Sequence, residues 1–180
     1  MATSLYDMSV ASYLQTLSGV SHVLQRGLDH FTDTSTDPNE IVETRLHDDM
    51  LPFRFQIWSV AHHSAGTIAG LKKGVFHPPA AMPDLDYAGL QKVVADAAAS
   101  LGQESADEIN ALAGGDMAFQ FGDFKMPFTA ETFVMSFSLP NFYFHVVTAY
   151  DILRHQGVEI GKRDYLSQVG GYIRPRRSEG

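Results

Sequence analysis

The chain has 180 residues, of which 44% are hydrophobic, so it can bury one substantial core but is too short for two ordinary domains. Its formal net charge of -8 argues against nucleic acid or an anionic membrane as the partner, because neither attracts an acidic surface. The absence of cysteine excludes disulfides, thiolate nucleophiles and zinc–thiolate sites.

The first predicted element is a long amphipathic helix over residues 4–31, where apolar residues recur mostly at steps of three and four. A short helix follows it. Asp48 or Asp49 is then predicted to cap a second long helix that runs to about Lys73. Gly74 is expected to end that helix in the left-handed conformation that glycine tolerates.

The second half of the chain is predicted to contain two more long helices separated by a hairpin. Asp86 begins the third long helix. Apolar and polar residues alternate on both sides of Gly122–Asp123, which predicts a β-hairpin over about residues 118–127, acting as an appendage or lid. The last long helix has Pro140 near its start and Gly157 at its end.

These elements predict an all-α fold, a four-helix bundle with short extra helices and one small β-hairpin. We expect one domain over residues 1–166 and a solvated C-terminal tail over residues 167–180. No segment approaches 18 uncharged apolar residues, and the first residues lack the pattern of a signal peptide. The protein is therefore expected to be cytoplasmic.

Polar residues follow one flank of the apolar face on the second long helix. At 100° per residue, Asp49, Gln56, His63 and Thr67 lie together along this flank, whereas Trp58 and His62 point elsewhere. A polar residue beside an apolar stripe often marks only the solvent boundary. If a second polar flank faces this one, however, the two would line a pocket inside the bundle.

The last long helix carries such a second flank. Asn141, His145 and Thr148 form a polar stripe at the border of its apolar face, and His145 is closest to the buried side. Tyr150 faces the core, where its hydroxyl needs a partner, and Tyr143 is a further candidate for substrate contact. An inward histidine can also be an ordinary core residue bonded to a backbone carbonyl.

Three stretches carry a family resemblance over nearly the whole chain: DDMLPFRFQ, FQFGDFKM and LPNFYFHVVTAYDILRHQGVEIGKRDYL. They resemble the DinB/YfiT-like superfamily of four-helix bundles, in its branch of domains of unknown function that carry NFYFH…LRH.G…GKRD. The resemblance implies the same bundle and suggests homodimers.

Many DinB-like proteins hold a divalent cation through one histidine on the second helix and two histidines four residues apart on the fourth. In this chain His63 matches the first position. The positions four residues on either side of His145 are Asn141 and Ala149, so the imidazole pair is missing. A site built from His63, His145 and Asp49 remains conceivable by ligand count, but we predict no metal cofactor.

We predict an enzyme that acts on a small, largely apolar or aromatic molecule by acid/base chemistry centred on His145. Asp49 and His63 are its predicted partners, and isomerisation, dehydration or cyclisation would need no more than this set. The predicted substrate-binding residues are Gln56, Trp58, Asn141, Tyr143, Thr148 and Tyr150. Two alternatives are a metal-dependent hydrolase or thiol transferase of the DinB type and a non-catalytic protein that binds a hydrophobic ligand.

Overall fold

The computed structural model describes residues 3–79 and 81–166. Three of the four helices of the bundle come before residue 102. The first bundle helix is a π-helical segment, Asp7–Ala11, continued by α1, Ser12–Asp33. The second is α2, Phe53–Ala61, continued by a π-helical segment, His62–Gly66, and by α3, Thr67–Lys73. The third is α4, Tyr87–Leu101, and a short 3-10 helix, Pro38–Ile41, lies between the first two.

The fourth bundle helix and several shorter elements come after residue 102. A short helix α5, Ala106–Asn110, precedes the hairpin. The fourth bundle helix is α6, Ala130–Phe133, continued by a π-helical segment, Val134–Ser138, and by α7, Leu139–His155. A single turn, α8, Lys162–Tyr165, closes the described chain. The predicted all-α four-helix bundle with short extra helices and a hairpin is confirmed.

The hairpin is part of a three-stranded sheet. Strand β1, Val75–Phe76, runs parallel to β2, Asp116–Phe121, which pairs antiparallel with β3, Phe124–Thr129. Gly122 has a positive φ of 55° in the predicted two-residue turn. The hairpin is two residues longer at each end than expected, and β1 was not predicted because two residues carry no detectable alternation.

The start of the second bundle helix was predicted too early. It begins at Phe53 with Pro52 as its N-cap residue, so Asp48 and Asp49 lie in the preceding loop. The physical reason is that a proline disfavours helical geometry at the residue before it, which here is Leu51. Proline itself is readily accommodated at a helix start.

The fourth bundle helix begins ten residues before the predicted position at Pro140. Thr129 caps its first turn by accepting a hydrogen bond from the backbone N–H of Thr132. Pro140 lies at the beginning of α7, directly after the π-helical segment, and does not break the helix. The irregular turn that precedes it is the usual way in which a helix accommodates a missing N–H.

The core fills the space between the four helices with aromatic and branched side chains. Its largest fully buried members include Tyr13, Phe53, Phe133 and Phe142. The turn α8 packs tightly on the first bundle helix, where a Cβ at Gly19 would lie 2.1 Å from the Tyr165 carbonyl oxygen. Only glycine permits so close an approach.

Two further predictions concern the C-terminal tail and the absence of a helix that could span a membrane. The expected tail, residues 167–180, lies outside the described residues. Within residues 3–79 and 81–166, none of the helices combines the length and the apolar character needed to cross a bilayer.

Candidate active site

Two histidine side chains from different helices face each other at the edge of the core. His63 lies in the π-helical segment of the second bundle helix, and His145 lies in α7. Their ring centroids are 5.7 Å apart with an interplanar angle of 18°, so the imidazoles are stacked. His63 is only 9% exposed and His145 is half-buried. The two predicted polar flanks therefore meet at this pair.

Gln56 fixes the orientation of the His145 ring. The Nδ1 atom of His145 lies 2.8 Å from Gln56 Oε1, and Gln56 Nε2 donates a 2.8 Å hydrogen bond to the Leu51 carbonyl oxygen. A carbonyl oxygen only accepts, so the amide nitrogen must face Leu51 and the amide oxygen must face His145. His145 Nδ1 therefore carries the proton, and in the neutral ring Nε2 carries the lone pair.

The side chain of His63 is less completely satisfied. Its Nδ1 atom is buried and has no hydrogen-bond partner among the residues that the structure describes. Burying a polar nitrogen without a partner costs about 1–3 kcal/mol. Such unsatisfied atoms are uncommon in folded proteins, and a functional site is one of their recognised settings.

Aromatic side chains surround the two imidazoles. Phe76 and Phe137 lie beside His63, with ring centroids at 5.5 Å and 6.1 Å. Phe55 and Phe144 contact His145 edge-on, at 5.9 Å and 5.4 Å. The surroundings of the pair are thus largely apolar, and the polar atoms are few and converge on one point, as is typical of small-molecule sites.

A third histidine flanks the pair and ties the sheet to the second bundle helix. His62 Nε2 donates to the backbone carbonyl of His77 at 3.0 Å, and His77 Nδ1 donates to the carbonyl of Gln120 at 3.0 Å. Gly66 leaves room for the His62 ring, because a Cβ there would lie 3.2 Å from its Nδ1 atom. These bonds hold the hairpin against the edge of the site.

The environment keeps the imidazoles neutral. Burial lowers the pKa of His63 to about 3, helped by the neighbouring His62 and His145. Burial, together with His62, lowers the pKa of His145 to about 4. Burial also lowers the pKa of His62, against the effect of its bond to His77. At neutral pH the three rings are uncharged, and each has a nitrogen lone pair that can accept a proton or a hydrogen bond.

A second polar cluster lies one layer deeper. The Ser138 hydroxyl donates to the His63 backbone carbonyl at 2.8 Å, and it shares hydrogen bonds with Tyr13 at 2.7 Å and Thr67 at 2.6 Å. Thr67 Oγ1 also lies 3.0 Å from the same carbonyl, and because each hydroxyl has one proton, Ser138 and Thr67 cannot both donate to that carbonyl while they bond to each other. The π-helical turns of the second and fourth bundle helices meet here, and π-turns frequently accompany functional sites.

Asp49 is not brought to the histidine pair. It lies in the loop before α2 with 85% of its side chain exposed, and its carboxylate pairs with His47 at 2.7 Å. The prediction that Asp49 faces His145 across a pocket depended on the early start of the second helix. Because that helix begins at Phe53 instead, Asp49 does not share its polar flank.

The other predicted binding residues occupy different surroundings. Asn141 donates to the Phe137 carbonyl at 2.7 Å and remains half-buried on the same helix as His145. Thr148 is buried and bonds back to the Phe144 carbonyl at 2.7 Å. Such back-bonding within a helix is a common way for a threonine to satisfy its hydroxyl.

The two tyrosines and the tryptophan lie elsewhere. Tyr150 donates to the Ile160 carbonyl at 3.2 Å, which supplies the partner that its buried position required. Tyr143 lines a separate groove together with Tyr165. The buried Trp58 Nε1 atom has no hydrogen-bond partner within the described ranges.

The donor set does not fit the metal site that the DinB resemblance implies. Asn141 already bonds to Phe137, Ala149 has no ligand atom, and Asp49 pairs with His47. Across residues 3–79 and 81–166, no three His, Cys, Asp or Glu side chains are grouped so that they could hold a metal ion. The ligand set His63, His145 and Asp49 is therefore not assembled.

Sequence reasoning missed several residues that shape the site. His62, His77, Phe55, Phe76 and Phe137 were not proposed as site residues, yet all contact the histidines or link them to the sheet. For His62, Phe76 and His77 no sequence signal predicts these contacts, because they depend on how the sheet docks on the second bundle helix. Phe137 could have been found from its spacing to Asn141 and His145.

Comparison with known proteins agrees with this architecture. A family model described as a domain of unknown function, DUF1993, matches residues 5–166. A crystal structure of a DinB family member from Shewanella denitrificans superimposes with a TM-score of 0.73 at 24% sequence identity, covering 90% of this chain and 91% of that one. No curated protein matches the chain. The structural likeness establishes a DinB-like fold.

Proposed function

This chain belongs to the DUF1993 family, and we propose that it is an enzyme that moves a proton on a small, uncharged, largely apolar molecule, with His145 as the acid/base and without a metal. The observation that carries the proposal is the fixed tautomer of His145. Gln56, itself held by Leu51, keeps the proton on Nδ1 and leaves the Nε2 lone pair as the reactive group.

The lowered pKa of His145 keeps the Nε2 lone pair available at neutral pH, although it also makes the ring a weaker base than a histidine with an ordinary pKa. With a pKa of about 4, the ring is neutral at pH 7 and can act as a base. Once protonated, it is a strong acid in an apolar setting beside His63, and it readily returns the proton to another atom. A group that accepts and then returns a proton supports isomerisation, dehydration or cyclisation.

The simplest step is removal of a proton from the carbon next to a carbonyl group. His145 Nε2 takes the proton, the C–H electron pair forms a C=C bond, and the carbonyl π-electrons move to the oxygen. That oxygen needs an N–H donor. Asn141 has a second amide N–H beyond the one bonded to Phe137, and this group can donate to that oxygen.

Hydrogen–deuterium exchange tests this step without knowledge of the natural substrate. Purified protein is incubated in D2O with 4-phenylbutan-2-one, an uncharged aryl ketone, and loss of the α-proton signals is followed by NMR. The wild type should accelerate exchange over buffer, and His145→Ala should reduce the protein-dependent rate by about 10²-fold or more. His47→Ala, which alters an exposed histidine outside the site, should exchange like the wild type.

Equal exchange by the wild type and His145→Ala would contradict the proposal. Saturable binding of the ketone with no exchange by either protein would instead identify a non-catalytic protein that binds apolar molecules. Binding and exchange can be separated in this way because His145→Ala removes the proton acceptor but leaves the surrounding aromatic side chains in place.

A further inference from the structure

The β-hairpin has one continuous apolar face. In an antiparallel pair, directly opposed residues share a face, and so do alternate residues along each strand. The observed register pairs Met117 with Phe128, Phe119 with Met126 and Phe121 with Phe124. All six apolar side chains therefore lie on the same side of the hairpin.

The base of this face packs on the fourth bundle helix. Phe128 lies beside Phe133 with ring centroids 5.5 Å apart, and Phe119 lies beside Phe137 at 4.9 Å. Successive pairs along the hairpin thus contact successive turns along the helix. The hairpin runs along the helix in the direction of His145.

The tip of the hairpin continues this register toward the histidine pair. Two strand residues advance by about 6.7 Å, and four helical residues advance by about 6 Å. By this ideal spacing, the next cross-strand pair, Phe121 and Phe124, would be level with Asn141, one helical turn before His145. Asn141 is the helical neighbour of both Phe137 and His145.

The tip and the adjacent helix surface are apolar but uncovered. Phe121 is 66% exposed, Phe124 is 56% exposed, and Phe144 beside His145 is 58% exposed. Lys125 pairs with Gln120 across the strands, which places its charge on the opposite face of the hairpin. The space between the tip and His145 is thus bordered by aromatic rings, one amide and one neutral imidazole.

We propose that the hairpin tip and Phe144 form an aromatic subsite, and that its ligand is an uncharged aromatic molecule whose N–H or O–H group donates to His145 Nε2. This inference rests on the proposed function and names the class of ligand that the site binds; the donor of such a ligand bonds to the same Nε2 lone pair that accepts the proton in catalysis. The apolar body of the ligand lies between Phe121, Phe124 and Phe144. Its donor reaches the lone pair that Gln56 leaves free on His145.

A charged ligand does not suit these surroundings. Moving a carboxylate or an ammonium group out of water without a paired charge is expensive. Phe121, Phe124, Phe144 and Asn141 carry no charge, and burial keeps His145 neutral, so the nearest charge in the hairpin tip is Asp123 in the exposed turn. A hydrogen-bond donor, in contrast, satisfies an imidazole nitrogen that otherwise lacks a partner in the described structure.

Four related probes test this chemistry by NMR titration of the full-length protein. Indole is aromatic, uncharged and carries one N–H; 1-methylindole lacks the donor; indole-3-acetate and tryptamine add a negative or a positive charge. Indole should give a saturable shift of the His145 ring signals. The other three should bind at least about tenfold more weakly. 1-Methylindole cannot make the hydrogen bond to His145, and the two charged probes must lose water from their charged group on binding.

Substitutions in the hairpin locate the binding surface. The double variant Phe121→Ser/Phe124→Ser should weaken indole binding about tenfold or more through loss of two aromatic contacts. Met135→Ser is the matched control, since Met135 is 61% exposed and lies two residues before Phe137, close to the opposite side of the helix. It should bind indole like the wild type. Thermal unfolding of each variant confirms that it is folded.

Three results would overturn the subsite: no saturable shift at His145 with indole, charged probes that bind as tightly as indole, or indole binding unchanged in the hairpin double variant. The last result, combined with a change of oligomeric state in that variant, would instead assign the hairpin tip to contact with a second copy of the chain.

The subsite and the proposed catalysis can fail separately. If indole binds as expected but His145→Ala leaves ketone exchange unchanged, the subsite stands and the acid/base role fails. If exchange depends on His145 but the hairpin double variant binds indole normally, the acid/base role stands and the subsite fails.

Discussion

Two polar clusters lie side by side between the second and fourth bundle helices, and they differ in how completely their hydrogen bonds are made. In the deeper cluster, Tyr13 bonds to Ser138, while Ser138 and Thr67 bond to each other or to the His63 carbonyl oxygen, so every hydroxyl proton has an acceptor. In the outer cluster, His145 bonds to Gln56 through one nitrogen only, and His63 Nδ1 has no partner within the described residues.

This contrast distinguishes polar groups that bond only to one another from polar groups that are free to bind a ligand. A buried network with every bond made stabilises one arrangement of the helices. A buried nitrogen left without a partner lowers stability, which supports the proposal that the outer cluster serves a use outside folding. His63 contributes its backbone to the first cluster and its side chain to the second, which joins the two physically.

The largest effect on stability is expected from the deeper cluster. Ser138→Ala should lower the free energy of unfolding by about 2–3 kcal/mol, because it leaves the buried Tyr13 hydroxyl without a partner, whereas Thr67 keeps its bond to the His63 carbonyl. Urea unfolding measures this change. Ser136→Ala, at an exposed serine in the same π-helical segment, should change stability by less than about 0.5 kcal/mol. Equal effects of the two substitutions would show that the network is not structural.

A smaller effect is expected when the outer cluster is titrated. The folded-state pKa values of about 3 for His63 and about 4 for His145 lie below the ordinary 6.5, so the unfolded chain binds protons first. Stability should therefore be complete above pH 6.5 and fall as the pH drops below it, by about 2 kcal/mol between pH 7 and pH 5.5. Urea unfolding at several pH values measures the slope.

His63→Leu is the control for this titration. It should remove about a third to a half of the slope, because His145 and His62 still titrate, and at pH 7 it should cost little, since it removes an atom without a partner. The lowered carboxyl pKa values of Asp7 and Asp164 affect stability only nearer their ordinary value of 3.8, below this window. A slope that is the same in His63→Leu and the wild type would contradict the assignment.

The smallest effect tests the bond between Gln56 and His145. Gln56→Glu places a carboxylate against His145 Nδ1–H and should raise the pKa of His145 by about 1–2 units, since a nearby negative charge favours the imidazolium. Gln56→Leu supplies no charge and should leave the pKa of His145 low. NMR titration of the His145 ring measures both. No difference between the two variants would mean that Gln56 does not contact the ring.

The sequence predicted the architecture well where the signals were local and strong. The apolar periodicity, the left-handed Gly74 with φ of 71°, and Asp86, whose side chain accepts a hydrogen bond from the Gly89 N–H, indicated the helix limits. Pro52 carried equally local information about the start of the second bundle helix. Giving greater weight to Asp48 and Asp49 as caps led to the error at Asp49.

The candidate site was predicted only in part. Helical spacing identified His63, Gln56 and His145 as members of facing polar flanks, and the structure brings those three together. It did not identify the roles of His62, His77 or the deeper Ser138 cluster. Those depend on π-helical turns and on strand docking, for which one sequence contains no comparable signal.

By itself, the sequence determined the bundle, the hairpin and the polar side of each long helix, because periodicity and turn chemistry act over a few residues and repeat along the chain. Only the tertiary structure decided which nitrogen of His145 bears the proton, which buried polar atoms lack partners, and where the apolar face of the hairpin lies. These properties arise from contacts between residues that are far apart in sequence, such as Gln56 with His145 and Phe119 with Phe137.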